Sequence, residues 1–266
     1  MINDIIIKIF RRVGYQFAKL KPISFEETLQ LCKRSKDIIS RISPNFTILQ
    51  GPFAGIRYPN LDITEAAVVP KIVGFYESQL HPFIKKIIET GYSDIINIGS
   101  AEGYYAIGFA KRMPQATIHC FEINTKDIEF CKLMAKANHV SNITYNNFCS
   151  SNTLLNFLPT GKMLVFCDCE GYELELFTPQ VVGKLKNADF LIELHDISNS
   201  KISTILINRF RKTHYIEVVN NRNADLKKFF AMLNQLSKDE KSFALSEHRG
   251  GYKKNCFMEW VFMKAF

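Results

Sequence analysis

Short apolar runs alternate with amphipathic or turn-rich segments from residue 94 to the C-terminus. Runs bounded by Gly, Pro, Asn and Asp and rich in Ile, Val, Phe and Tyr read as strands. They are predicted at Asp94–Ile98, Ala116–Glu122, Ile143–Asn147, Met163–Asp168, Phe190–His195 and Tyr215–Asn220. Consecutive strand-helix crossovers demand a parallel sheet covered on both faces. The predicted fold class is therefore α/β, a doubly wound, Rossmann-like sheet. After the sixth strand come a predicted helix, Ala224–Leu236, a polar loop and a last strand, CFMEWVFMKA. A last strand that returns beside the sixth would be antiparallel, which makes the sheet seven-stranded and mostly parallel.

The periodicity changes in the first third of the chain. Ile2, Ile5, Ile6, Ile9, Phe10, Val13 and Phe17 recur at helical spacing, with Lys8, Arg11, Arg12 and Lys19 elsewhere on the wheel. A basic amphipathic helix over 2–20 could pack on the domain, meet a second copy in a homodimer, or lie as a peripheral contact on an anionic membrane. A second helix is predicted from Phe25 to Ile42, before Pro44. The segment GPFAGIRYPN favours turns and reads as a loop or small hairpin. A helical stretch from residue 70 then leads to Asp94. The predicted organisation is an N-terminal helical appendage, residues 1–50, and one domain, residues 51–266.

Composition narrows the class. With 47% hydrophobic and 23% charged residues among 266, the chain is of the globular kind. No apolar run reaches the ~18 residues that cross a bilayer, and the N-terminal run is too short and too charged for a secretory signal. The expected location is cytoplasmic. Cys32, Cys120, Cys131, Cys149, Cys167, Cys169 and Cys256 form no C-x-x-C pair and read as buried thiols in a reducing compartment. The formal charge of +8 suits an anionic partner or simply a solvated lysine-rich surface.

Candidate chemistry begins at NIGSAEG, after the first strand. Gly99 and Gly103 do not form the G-x-G-x-x-G dinucleotide fingerprint. Gly99 permits a sharp turn at positive φ, and Gly103 stands where a side chain would block a ligand's approach to the helix start. Glu102 complements the helix dipole and would disfavour a pyrophosphate. Glu122, closing the second strand, is placed to accept hydrogen bonds from two ribose hydroxyls. Loop and acid together predict a nucleoside site.

The stretches INIGSAEGYYAIGFA, CFEIN, FCDCEGYELELF and LIELHD, with the closing antiparallel strand, resemble the class I S-adenosylmethionine-dependent methyltransferases, and within them the FkbM-like group. The resemblance runs from about residue 51 to the C-terminus. It implies S-adenosylmethionine as cofactor and O-methylation of a hydroxyl on a sugar, polysaccharide or related small molecule. Cofactor contacts implied by it are Glu77, Asn97, Gly99, Ser100, Ala101, Glu102, Gly103, Tyr104, Glu122, Ile123, Asn147, Cys149 and Asp168. Asn97 stands where many members carry an acid, and Glu77 or Asp168 could supply that charge.

In an open α/β sheet the reacting groups lie outside the carboxyl ends of the strands. Here those groups are Asp168, Glu170 and Glu173, then Glu193, His195 and Asp196. His195 could take a proton from an acceptor hydroxyl, with Glu193 or Asp196 orienting its ring and Asp168 beside it. Alternatively Asp168, Glu193, His195 and Asp196 could hold a divalent cation such as magnesium. Glu170 and Glu173 could equally cap a helix. Glu170, Asp196 and, from the loop LSEHRGGYKKN, Glu247, His248 and Arg249 are predicted to face the acceptor. Three rival functions are an RNA methyltransferase, a nicotinamide-dependent oxidoreductase and an inactive nucleoside-binding protein. No aromatic-basic platform for nucleic acid is apparent.

Overall fold

The computed structural model describes residues 25–61, 67–196, 198–219, 229–231, 233–246 and 259–266. The predicted helix over 2–20, residues 224–228 and 232 of the predicted helix Ala224–Leu236, the loop with Glu247, His248 and Arg249, and the start of the last strand lie outside them. Seven strands form one sheet: β1 Asp94–Ile98, β2 Thr117–Phe121, β3 Ile143–Asn146, β4 Met163–Cys167, β5 Asp189–Leu194, β6 His214–Val218 and β7 Glu259–Ala265. Their order is β3-β2-β1-β4-β5-β7-β6. Pairs β1·β2, β2·β3, β1·β4 and β4·β5 are parallel, whereas β7 is antiparallel to both β5 and β6. The last strand thus returns beside the sixth as expected, but it also inserts between the sixth and the fifth.

Strands β1, β4 and β5 are buried along their whole length, because each is covered on both faces. Alternation divides them between two cores. Ile95, Leu164, Phe166, Leu191, Trp260 and Phe262 join one apolar cluster. Ile96, Ile98, Val165, Cys167, Phe190 and Ile192 join the other, with Phe177, Leu206 and Phe210.

The helices are α1 Phe25–Ile42, α2 Val68–Val73, α3 His81–Thr90, α4 Tyr104–Arg112, α5 Thr125–Asn138, α6 Ser151–Leu155, α7 Glu173–Leu176, α8 Pro179–Lys184, α9 Ile202–Phe210 and α10 Lys238–Ala244. The predicted stretch from residue 70 to Asp94 is not one helix. Gly74 adopts a left-handed conformation (φ 78°) that ends α2, and its missing side chain makes room for the Gln50 carbonyl. A short 3-10 turn, Ser78–Leu80, follows before α3 starts with a proline in its first turn. Helix α1 buries Ile38 and Ile39 in the same core as Ile95 and Phe166. None of the helices among the described residues is long and apolar enough to cross a membrane.

GPFAGIRYPN forms the predicted small hairpin, closed by a Thr47–Arg57 bridge and by Ile48 N–H donating to the Ile56 carbonyl at 2.8 Å. Its Phe53 is 1% exposed and lies edge-on to Tyr104 and Phe109 at centroid distances of 5.4 and 5.6 Å. Gly108 allows this, since a Cβ there would sit 2.5 to 2.6 Å from three atoms of the Phe53 ring. Overpacking of this kind costs about 1–3 kcal/mol. Gly108→Ala should therefore lower stability by that amount in chemical denaturation, and Phe53→Leu should cost less in the Gly108→Ala background than alone. Additive losses would mean the two sites do not press on each other.

Candidate cofactor and acceptor site

The sheet order reverses between β1, which is followed by β2 on one side, and its other neighbour β4. Loops leaving the carboxyl ends of such a pair diverge and open a crevice. Here they first touch. Asp168 N–H donates to the Ile98 carbonyl at 3.0 Å, and the Asp168 carbonyl fills the space that a Gly99 side chain would occupy. Gly99, at φ 73°, donates its N–H to Phe121 at 2.9 Å, so the loop is tied to β2 as well.

Beyond the contact lies a cleft of about 230 Å³. Of the residues predicted from sequence, Gly99, Ala101, Glu122, Ile123, Asn147, Cys149, Asp168 and Glu170 line it. Ile98, Phe121, Phe148, Cys169 and Tyr172 line it too and were not predicted. Phe148 and Tyr172 are the informative pair, with ring centroids 5.4 Å apart and Phe148 50% exposed. Both follow strand ends, so the rule that located the acids also covers them; only charge drew attention elsewhere.

Glu122 is held from both sides. Its Oε2 accepts from Ala101 N–H at 2.8 Å and its Oε1 from Asn124 N–H at 2.9 Å. Each carboxylate oxygen retains acceptor capacity for a further donor.

Several predicted cofactor contacts are buried behind the cleft and do not line it. Glu102 turns inward, where its Oε1 accepts from Lys71 Nζ at 2.6 Å and Tyr58 Oη at 3.1 Å. The pair is 5% and 1% exposed. Its role is a buried ion pair between the glycine loop and α2, in place of the predicted service to the helix dipole. Gly103 serves packing, because a Cβ there would lie 2.6 Å from Cys131 Sγ on α5; ligand approach is not what requires it. Ser100 and Tyr104 are buried as well. Glu77, a non-glycine residue at φ 45°, accepts from Tyr105 Oη and from Trp260 Nε1 at 3.3 Å. Asn97 is fully buried, and neither its Oδ1 nor its Nδ2 has a hydrogen-bond partner among the described residues. An unmade hydrogen bond at such a group costs about 1–3 kcal/mol.

The acids at the ends of β4 and β5 converge on His195. Its Nδ1 lies 2.6 Å from Glu173 Oε1, which also accepts from Gly171 N–H at 3.1 Å. Its Nε2 faces Asp168 Oδ1 and Glu170 Oε2, both at 3.5 Å, and Glu193 Oε2 at 3.6 Å. Burial by itself would lower the His195 pKa, but the Glu173 contact and the charges of Glu193 and Glu170 raise it to about 9. Burial, then the charges of Glu193, Glu170 and Glu77, push the Asp168 carboxyl well above its ordinary value. Among the described residues, Asp168 Oδ1 and His195 Nε2 have no hydrogen-bond partner.

Two expectations about this group change. Glu173 occupies the ring-orienting place foreseen for Glu193 or Asp196. Asp196 is committed elsewhere, with its carboxylate accepting from Ser203 N–H at 2.8 Å and Ser203 Oγ at 2.6 Å at the start of α9. Consecutive left-handed residues, Glu170 at φ 56° and Gly171 at φ 106°, fold the chain back so that Glu173 lies beneath the loop. Glu170 stays on the rim with an 82% exposed side chain.

No protein-family model matches the sequence, and comparison with curated proteins finds no match. Among solved structures, a candidate rRNA methylase from Clostridium thermocellum aligns over 71% of this chain and 94% of its own, at 12% identity and a TM-score of 0.49. A precorrin-6y C5,15-methyltransferase from Geobacter metallireducens aligns over 69% and 87%, at 13% identity and a TM-score of 0.43. A candidate O-methyltransferase from Klebsiella pneumoniae aligns over 98% and 96%, at 10% identity and a TM-score of 0.42. Similarity at this level transfers no activity.

Removing one partner of a buried ion pair leaves the other charge uncompensated, at a cost of about 3–5 kcal/mol. Lys71→Met should be destabilising by that order in denaturant titration, and adding Glu102→Gln should recover part of the loss. A double variant less stable than Lys71→Met would contradict the pairing.

Proposed function

We propose that this protein is an S-adenosylmethionine-dependent methyltransferase that O-methylates a hydroxyl of a sugar, polysaccharide or related small molecule. The observation that carries the reading is Glu122, fixed by two backbone N–H groups at the mouth of the switch-point cleft with capacity left on both oxygens. Two vicinal hydroxyls of a ribose match that geometry. The reading sets the adenine against the exposed Ile123 and Phe148 and the half-buried Tyr172, where an apolar, π-faced heterocycle is favoured.

Charge supports the choice of nucleoside. A dinucleotide would bring a pyrophosphate beside Asp168 and Glu170, which repel it. S-adenosylmethionine instead carries a sulfonium and an ammonium, cations that Glu77, Asp168 and Glu193 favour. Asn97, with an amide unpartnered among the described residues and on the same face of the sheet as Phe166, offers an acceptor to the ammonium or a donor to the carboxylate of the methionine end.

Methyl transfer is largely a matter of holding the sulfonium carbon in line with the attacking oxygen. On this reading the acceptor hydroxyl sits at the edge formed by Asp168, Glu170, Glu193 and His195, and the transferred proton leaves through that group. A divalent cation fits the same edge, since Nε2 of His195 and Oδ1 of Asp168 lack hydrogen-bond partners among the described residues. Bound there by Asp168, Glu193 and His195, it would supply Lewis acidity toward an acceptor oxygen. The sugar-like acceptor follows from the resemblance to the FkbM-like group.

Calorimetry tests the cofactor. S-adenosylhomocysteine should bind and NAD should not, and Glu122→Ala should weaken S-adenosylhomocysteine by about 10- to 100-fold, the worth of charge-assisted hydrogen bonds, with the domain still folded. Binding of NAD, or unchanged affinity in the variant, would refute the assignment.

A further inference from the structure

We propose that Asp168, Glu193 and His195 form a site for a transition-metal dication of the Mn²⁺ class, with Glu173 as the positioning residue that makes His195 a ligand. This deepens the proposed function by naming the ion at its acceptor edge, and it rests on that reading only for the ion's purpose.

One ligand atom from each of the three residues lies within 4.8 Å of the others. Two ligands facing each other across an ion at ~2.2 Å are ~4.4 Å apart, so a shift of a few tenths of an ångström closes the site. Three carboxylate oxygens stand 3.5 to 3.6 Å from His195 Nε2, too far for hydrogen bonds and yet all on its open side. His195 itself is 1% exposed, so water does not satisfy that nitrogen from the surface. Three carboxylates gathered on the one open nitrogen of a buried ring need a positive charge between them, which a shared cation supplies in place of a proton on Nε2.

Glu173 decides which nitrogen is offered. It is fully buried, and its Oε1 is held by Gly171 N–H while meeting Nδ1 at 2.6 Å. A carboxylate in this place keeps the proton on Nδ1, fixes the ring plane and leaves Nε2 for the metal. The backbone turn at Glu170 and Gly171 is what brings Glu173 there.

The donor set selects the ion. Mg²⁺ and Ca²⁺ are held by oxygen ligands, whereas an imidazole suits first-row transition metals, and two carboxylates with an open rim suit Mn²⁺. Asp196, expected as a fourth ligand, is bound to Ser203. The remaining positions face the cleft, where Asp168 is 27% exposed. An acceptor oxygen or water would complete the coordination.

The test uses the full chain, stripped with a chelator, titrated with MnCl₂ and separately with MgCl₂ by calorimetry and by the electron paramagnetic resonance signal of free Mn²⁺. One Mn²⁺ per chain is expected, bound at least tenfold more tightly than Mg²⁺. Glu193→Gln should abolish binding. Glu173→Gln should weaken Mn²⁺ by about 10- to 100-fold and Glu173→Asp should restore part of it, at melting temperatures within those of folded protein. Absence of Mn²⁺ binding, equal affinity for Mg²⁺, or full binding by Glu193→Gln would overturn the site. Unchanged affinity in folded Glu173→Gln would overturn its positioning role. A parallel S-adenosylhomocysteine titration separates the two claims: Mn²⁺ without nucleoside binding defeats the methyltransferase reading alone, and the converse defeats the metal site alone.

Discussion

The backbone contact between Gly99 and the carbonyl of Asp168 is the constraint on which the site depends. Any side chain at Gly99 would overlap that oxygen, and the residue's positive φ is itself costly for other residue types. With the two loops touching, the walls of one cleft are set by two adjacent parallel strands. Glu122 enters that cleft from β2, and Asp168 reaches it from β4 with its side chain toward His195. Moving either loop outward would separate Glu122 from the acids that crowd His195.

Charge buried around the cleft is handled in two ways. Lys71 and Glu102 neutralise each other at 2.6 Å and pin the glycine loop from behind. Asp168, Glu170 and Glu193 stand 3.5 to 3.6 Å from His195 Nε2, and burial together with the charges of Glu193, Glu170 and Glu77 raises the Asp168 carboxyl. On the proposed reading a sulfonium, an ammonium and a metal ion are each of the right sign for that edge.

Much of this was legible in the sequence for a simple reason. Strands covered by neighbouring layers stand out as short apolar runs, so Asp94–Ile98 was located to the residue and the ends of β2 to β6 to within a residue or two. The insertion of β7 between β5 and β6 was not, because pairing partners at a sheet edge are a long-range choice that local pattern does not encode. Glu122 was readable from its distance to the glycine loop. Glu102 and Gly103 were placed in the right loop with the wrong purpose, since Lys71 and Cys131, their actual neighbours, lie far away in sequence. Glu173 was weighed as a helix cap because the left-handed turn at Glu170, a non-glycine residue, has no sequence signature. Its contact with His195 emerges only in three dimensions.

A crystal structure of the chain with S-adenosylhomocysteine tests the central claim most directly. The account predicts both ribose hydroxyls within hydrogen-bonding distance of Glu122, the adenine beside Phe148 and Tyr172, and the sulfur directed toward Asp168. A nucleoside bound away from Glu122, or with its sulfur turned from the β4 edge, would contradict it.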